Sequence, residues 1–389
     1  NDNNDNPIPI PVTRTYSQGL SFAEYAASLS GARKGVVDVK LGVANAGYYN
    51  KLLNQVSHRN VVVGDDEEDD EYGVNERSKY VRGLPVPVTD RHSVGSLLAR
   101  DTGSFKANTI ITPKILDALE RGGHKNLIVR SPIARSSPDG GVYAFDVGLD
   151  ENGRLVQRGE QPGMVTAQGV GEPVTQMGLN SKHTGGVAGV PLVSGFKAYE
   201  QMVQIPDTFQ GAASHSVQDG TVRLVQKAPA GGHYVFVGDE RHYVPPDQKV
   251  TVKAGESVEA GDVLSNGVPN PEKITAYKGI GEGRRYWVNT MLDLAKGQNM
   301  RADRRNLELI SRGLINHVRL NDFVGDYLPD DVVPYHLLEA SWQAREGSQK
   351  LLPKKAIGKY LEAPILHHTV GVKVTPKMVK EMAELGLDE

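Results

Sequence analysis

A chain of 389 residues with 39% hydrophobic and 23% charged residues is long enough to bury a large core and to divide into two or three domains. Its net charge of −3 does not mark the whole surface as a polyanion binder, and its lack of cysteine excludes disulfides, thiolate metal sites and thiolate nucleophiles. No run of about 18 apolar residues is present to cross a membrane, the first residues lack the basic and apolar regions of a secretory signal, and the initial Asn suggests processing or trimming.

Residues 1–17 are polar and Pro-rich and read as a flexible lead-in. From Ser21 to Gln55 the pattern is helical, interrupted by Gly31, Gly35, Gly42 and Gly47. Each internal glycine costs a helix about 1 kcal/mol relative to Ala, so the stretch reads either as one long helix approached closely by something else or as two helices joined at Gly31 or Gly42. The acidic run Asp65–Glu71 reads as a solvated loop, because consecutive carboxylates repel one another.

Residues 79–160 form a small mixed region. Thr112-Pro113 starts a helix that ends at Arg121-Gly122-Gly123, a strand follows at Asn126–Arg130, and a second strand lies near Val142–Val147. A helix covers Gly163–Gln176, and a short one covers Phe196–Val203, stopped before Pro206. Beyond Gln210, alternation with frequent Gly, Pro and Asp predicts a compact β barrel or sandwich over 211–268. Helices at Arg284–Lys296 and Asp303–Ile315 follow within 269–325, and the mixed C-terminal region 326–389 ends in an amphipathic helix opened by Pro376. The paired cations Arg284, Arg285, Arg304 and Arg305 read as surface or subunit contacts. The fold class is α+β and multi-module.

One stretch carries the chemistry. In GEPVTQMGLNSKHTGG, Gly171-Glu172-Pro173 reads as a helix start. Gln176, Leu179, Asn180 and His183 then recur at i, i+3, i+4 and i+7, which places an amide, an apolar group, an amide and an imidazole on one helix face. Gly185 and Gly186 break the helix, so Gly171, Gly185 and Gly186 are candidate hinges. A helical hairpin over 161–210 with a Gly-rich tip is suited to fold and unfold around a ligand.

The order of motifs resembles the C-terminal half of the largest (β′) subunit of multisubunit DNA-dependent RNA polymerases. GARKGVVDVKLGVANAGYYNKLLNQV, within 18–60, looks like that family's bridge helix, and GMVTAQGVGEPVTQMGLNSKHTGGVAG looks like its trigger loop. GSFKANTIITPKILDALERGG with NLIVRSPI, the module HYVPPDQKVTVKAGESVEAGDVLSNG, and YWVNTMLDLAKGQNMRADRRNLELISRGL complete the series over roughly 18–320. The resemblance implies that Gln176 approaches the ribose, Leu179 packs on the base and His183 sits near the β-phosphate as positional catalyst or general acid. It implies template or nucleic-acid contacts for Arg33, Lys34, Val43, Ala44 and Tyr48.

It further implies catalytic Mg²⁺, held by an Asp-x-Asp-x-Asp loop that this sequence lacks. The implied partners are an N-terminal β′-like subunit carrying that triad, β-like subunits, a sigma-like or specificity subunit, DNA template, RNA transcript and nucleoside triphosphates. No membrane is implied. The split arrangement is similar to that of large-bacteriophage polymerases, which places the chain in the cytoplasm of an infected bacterium or packaged in a virion.

Departures from the pattern are equally specific. Asn180 stands where the family carries an arginine, Gly42 and Val43 replace a Lys-Thr pair, and Arg135, Tyr143 and Asp146 stand at positions of zinc-binding cysteines, so with no thiolate in the chain no zinc is expected. These departures leave open a non-catalytic structural or DNA-binding subunit of a transcription complex. A carrier-domain reading of VTVKAGESVEAGDVLSNG fails because no Lys occupies a hairpin tip.

Overall fold

A computed structural model describes residues 8–66, 80–180 and 196–389. Most of the acidic run, and His183, Gly185 and Gly186, lie outside the described residues.

The chain opens with a single helix, α1 (Phe22–Ser57), 36 residues long. At about 1.5 Å per residue it spans roughly 54 Å. Ser21 caps it: the side chain accepts from Glu24 N–H, and the Glu24 carboxylate in return accepts from Ser21 N–H at 2.9 Å. That reciprocal pair, with Thr13 also donating to Glu24, holds the Glu24 carboxyl down to about 2. The alternative of two helices is therefore not realised.

Strand β1 (Val62–Gly64) pairs in parallel with β4 (Val142–Tyr143), while β2 (Leu84–Pro87) and β3 (Asn126–Val129) pair antiparallel, Leu84 opposite Val129. Between them α2 (Pro113–Arg121) packs Leu116 and Leu119 on Leu84, Val86 and Leu127, with Thr112 as the expected N-cap. The strand expected to run to Val147 stops at Tyr143. A helical turn, α3 (Ala144–Val147), replaces it and brings Asp146 into a buried ion cluster.

Helix α4 (Pro162–Asn180) begins within a residue of the expected Gly163 and runs on without a break, so Gly171 and Pro173 are interior and the separate start read at Gly171-Glu172-Pro173 is not realised. A proline inside a helix leaves the carbonyl four residues earlier unpaired. Here that carbonyl belongs to Gly169, which is exposed and can be hydrated. Helix α5 (Phe196–Gln204) ends where Ile205 turns to φ +44° ahead of Pro206.

Strands β5 (Gly220–Lys227), β6 (His233–Val237), β7 (Glu240–Val244) and β8 (Ser257–Val258) form one antiparallel sheet in the order β7-β6-β5-β8. Val222, Val235, Val237, Val244, Val258 and Leu264 pack together on it. The observed module is thus a four-stranded sheet extended by single bridges such as Val250–Ser265, where a barrel or sandwich was expected.

Helix α6 (Pro271–Lys278) precedes α7 (Ile280–Gly297), which begins four residues before the expected start, and α8 (Arg304–Leu314) is capped by Asp303. Strands β9 (His317–Arg319) and β10 (Val332–Pro334) pair antiparallel, followed by α9 (Tyr335–Ser341), α10 (Pro353–Ala356) and α11 (Pro376–Glu384), with Thr375 as cap of the last. The largest core joins Tyr49 and Leu53 of α1, Ala167 and Val174 of α4, Tyr199 and Met202 of α5, Trp287 and Met291 of α7, and Leu307 and Ile310 of α8. Trp287 Nε1 donates to Met202 O at 2.7 Å, satisfying the indole inside that core.

Candidate functional site

Among the described residues, helix α1 is anchored at its C-terminal end. Ala46, Tyr49 and Leu53 are fully buried, at spacings that form one stripe. Toward the N-terminus the apolar side chains Phe22, Tyr25, Leu29, Val36 and Val43 are exposed, Phe22 to 89%. About two-thirds of the helix therefore reaches beyond the core with apolar groups uncovered. Arg33, Val43, Ala44 and Tyr48 are all exposed on this segment, and Lys34 lies within it. Gly35 and Gly47 have open space where a side chain would be.

The anchored end is gripped by glycines of two other helices. A Cβ on Gly163 of α4 would come within 2.2 Å of Ser57 O, and one on Gly313 of α8 within 1.8 Å of Val56 O. Gly171 of α4 is buried, and a Cβ there would meet Asn50 Oδ1 of α1 at 2.2 Å. Gly163, Ala167, Gly171 and Val174 form the face of α4 laid on α1, small enough for the two backbones to approach closely. Phe196 at the start of α5 closes edge-on against Tyr49, ring centres 5.7 Å apart. Burial pushes the Tyr49 hydroxyl well above its ordinary value.

Leu179 and Asn180 fall in the last turn of α4. Gln176 is exposed and its amide donates to Glu172 Oε1 at 3.3 Å. The structure thus brings the predicted α4 residues onto a helix docked along α1. A shallow groove at that junction is lined by Asn50, Lys51, Asn54, Gln55, His58 and Met164. The sequence reading missed Asn50, Asn54 and His58, although their i, i+4, i+8 spacing was a visible polar stripe.

Two of the three positions where the resemblance places zinc-binding cysteines, Arg135 and Asp146, lie with Arg130 and Asp66 in a cluster of two guanidinium groups and two carboxylates. Arg130 holds Asp66 at 2.9 and 2.6 Å, Arg135 holds it at 2.5 Å, and Asp146 lies 3.7 and 3.8 Å from the two arginines. Burial raises the Asp146 carboxyl despite those cations. Guanidinium groups have no lone pair for a cation, so this donor set does not fit zinc. Asp66 is accordingly a buried ion-pair partner and departs from the solvated loop expected of the acidic run.

The paired cations of α7 and α8 are also structural, which corrects the expected surface role. Arg284 is buried and donates to Ile315 O and Ile133 O, Arg304 pairs with Asp90, and Arg305 donates to Gly95 O and Leu149 O. Arg285 bridges Glu282 and Glu381. Helical cations read from sequence as surface or subunit contacts here meet carbonyls and carboxylates, most of them from distant segments.

Residues 19–230 match the family of RNA polymerase Rpb1, domain 5. The DNA-directed RNA polymerase subunit beta' of Finegoldia magna is 29% identical over 331 residues, covering 82% of this chain and 27% of that protein. The subunit of the same name from Acetivibrio thermocellus is 28% identical over 371 residues, covering 92% and 32% respectively. The chain therefore spans about a third or less of these curated relatives.

Proposed function

The chain belongs to the family of RNA polymerase Rpb1, domain 5, and from that premise we propose that it supplies the C-terminal part of the β′ subunit of a multisubunit DNA-directed RNA polymerase. In this reading α1 is the bridge helix, and α4 and α5 with the segment between them form the trigger loop. The observation that carries the reading is the anchoring of α1 at its C-terminal end, with α4 docked on that buried end and a long apolar, glycine-containing segment left for template and partner chains.

The roles assigned to individual residues follow from phosphoryl-transfer chemistry, which gains mostly from positioning and charge stabilisation. Gln176 orients the ribose, Leu179 packs against the incoming base, and His183 places a proton donor or a positive charge near the β-phosphate. Val43, Ala44 and Tyr48 face the template base, and Arg33 and Lys34 meet template phosphates, a contact that is salt-dependent and sequence-blind. Gly171, Gly185 and Gly186 permit the hairpin to close and reopen; for Gly171 this means that a buried helix contact with Asn50 shifts during the cycle. Closure around a matched nucleotide then acts as a specificity step.

Catalytic Mg²⁺, which supplies charge neutralisation at the transferring phosphate, is assigned to an aspartate triad on a partner chain. Residues 1–389 contain no Asp-x-Asp-x-Asp pattern. The divergence at Gly42, Val43 and Asn180 supports a split largest subunit of the bacteriophage kind, acting in the cytoplasm of its host with β-like and specificity subunits.

The test is RNA synthesis by the assembled complex carrying His183→Ala. Loss of a general acid lowers the elongation rate by about 10²–10⁴-fold. A rate within about twofold of the unaltered complex refutes the catalytic assignment and leaves the chain as a structural or DNA-binding subunit, a reading favoured by Asn180 at the family's arginine position.

A further inference from the structure

Four side chains from three separated segments converge at the start of α7. Glu282 stands in the first turn of α7, Glu381 on α11, and His367 and His368 in the tight turn between Ile365 and His368. One donor atom from each lies within 4.8 Å of the other three. The two imidazoles lean on each other with ring centres 4.2 Å apart, and they are 1% and 4% exposed.

Their hydrogen bonding is incomplete. His367 Nε2 is 2.7 Å from Glu282 Oε1. His368 Nε2 points at Glu381 Oε2 from 3.5 Å without forming a hydrogen bond, and its Nδ1 and that of His367 also have no hydrogen-bond partner among the described residues. Buried polar atoms are almost always paired, so two ring nitrogens without a hydrogen bond, beside a third that meets a carboxylate only at 3.5 Å, need an explanation.

The backbone is committed to this arrangement. Leu366, just before the two histidines, sits at φ +55° although buried, a conformation that costs a branched side chain energy. A Cβ on Gly281 would come within 1.7 Å of His367 O, so the turn is pressed directly onto the start of α7.

Arg285 accounts for part of the cluster, reaching Glu381 Oε1 at 2.7 Å and Glu282 Oε1 at 3.2 Å. It explains the carboxylates and leaves the ring nitrogens unexplained. It also sets one positive charge against two negative ones.

We propose that Glu282, His367, His368 and Glu381 bind a divalent first-row transition ion, zinc foremost, which staples the C-terminal helix α11 to α7. Two imidazole nitrogens and two carboxylate oxygens are a donor set that zinc accepts in tetrahedral geometry. Donors in such a site stand roughly 3.4 Å apart, so the widest pair closes by over an ångström, within reach of glutamate rotation. The lack of cysteine rules out thiolate sites and has no bearing on this set. The inference is independent of the polymerase reading.

The full chain, stripped with chelator, is dialysed against micromolar Zn²⁺ and separately titrated with Co²⁺ as a visible reporter. The expected result is one retained equivalent of zinc, an intense tetrahedral Co²⁺ band, and a higher midpoint of thermal unfolding with zinc than without. Loss of an outer-shell partner alone costs about 10–100-fold in affinity, so His368→Gln weakens binding by at least about tenfold. Glu381→Gln, at a partly buried position on α11, gives the same loss and decides the matter if the histidine variant does not fold. Retention of no zinc by the unaltered chain, or undiminished binding in Glu381→Gln, overturns the proposal.

Discussion

Replacing Gly313 by Ala tests how α1 is held. In an open helical position this change stabilises by up to about 1 kcal/mol, because Ala is the better helix former. At Gly313 the new methyl lands 1.8 Å from Val56 O, about 1.6 Å short of ordinary contact at 3.4 Å. The obstacle is backbone in the last turn of α1, which cannot rotate away as a side chain tip can. Overpacking of a fitted interior costs roughly 1–3 kcal/mol, more when backbone must move. The net expectation is destabilisation by about 1–2 kcal/mol, read as a lower urea midpoint of the full chain at unchanged slope. A midpoint that rises by the amount helix propensity alone provides refutes the claim that α8 and α1 touch through this glycine.

The same geometry predicts the opposite sign at Gly35 and Gly47, which have nothing within 4 Å: Ala at either stabilises the isolated chain by about 1 kcal/mol, and by the proposed function it slows RNA synthesis in the assembled complex. Glu308 supplies a pH signature. Burial raises its carboxyl to about 7 even though Ser131 donates to it at 2.7 Å and Arg304 lies nearby. A carboxyl raised from about 4.5 favours the folded state when protonated, so its contribution is present below pH 4.5 and is lost as pH rises through 7, by about 3 kcal/mol. Urea midpoints at pH 5 and pH 8 are expected to diverge between the unaltered chain and Glu308→Gln, and parallel changes refute the assignment. Arg312 donates to Asn60 Oδ1, Gly140 O and Gly141 O, all at 2.7–2.9 Å. Arg312→Met leaves those acceptors buried without a donor and is expected to cost about 3–5 kcal/mol, measured by thermal or urea unfolding.

Local chemistry was legible in the sequence wherever it needed no distant partner. Thr112-Pro113, Asp303 and Pro376 each marked a helix start that the structure places within a residue of expectation, because a cap acts on the backbone next to it. The linear order of motifs also carried the family. What failed were readings that depended on surroundings. Pro173 signals a start by local rule, but packing of the Gly163–Val174 face on α1 carries the helix straight through it. The four glycines in α1 argue equally for a break or for a bare surface, and only the folded chain decides for one continuous helix, held where Ala46, Tyr49 and Leu53 are buried. Arg284 and Arg304 read as surface or subunit contacts, yet they are buried on partners that lie far away in sequence. The pairing of His367 and His368 with Glu282 and Glu381 was invisible for the same reason: spacing along a chain reports which groups share a helix face, while burial, and the charge that burial forces into contact, exists only once separate segments have been folded together.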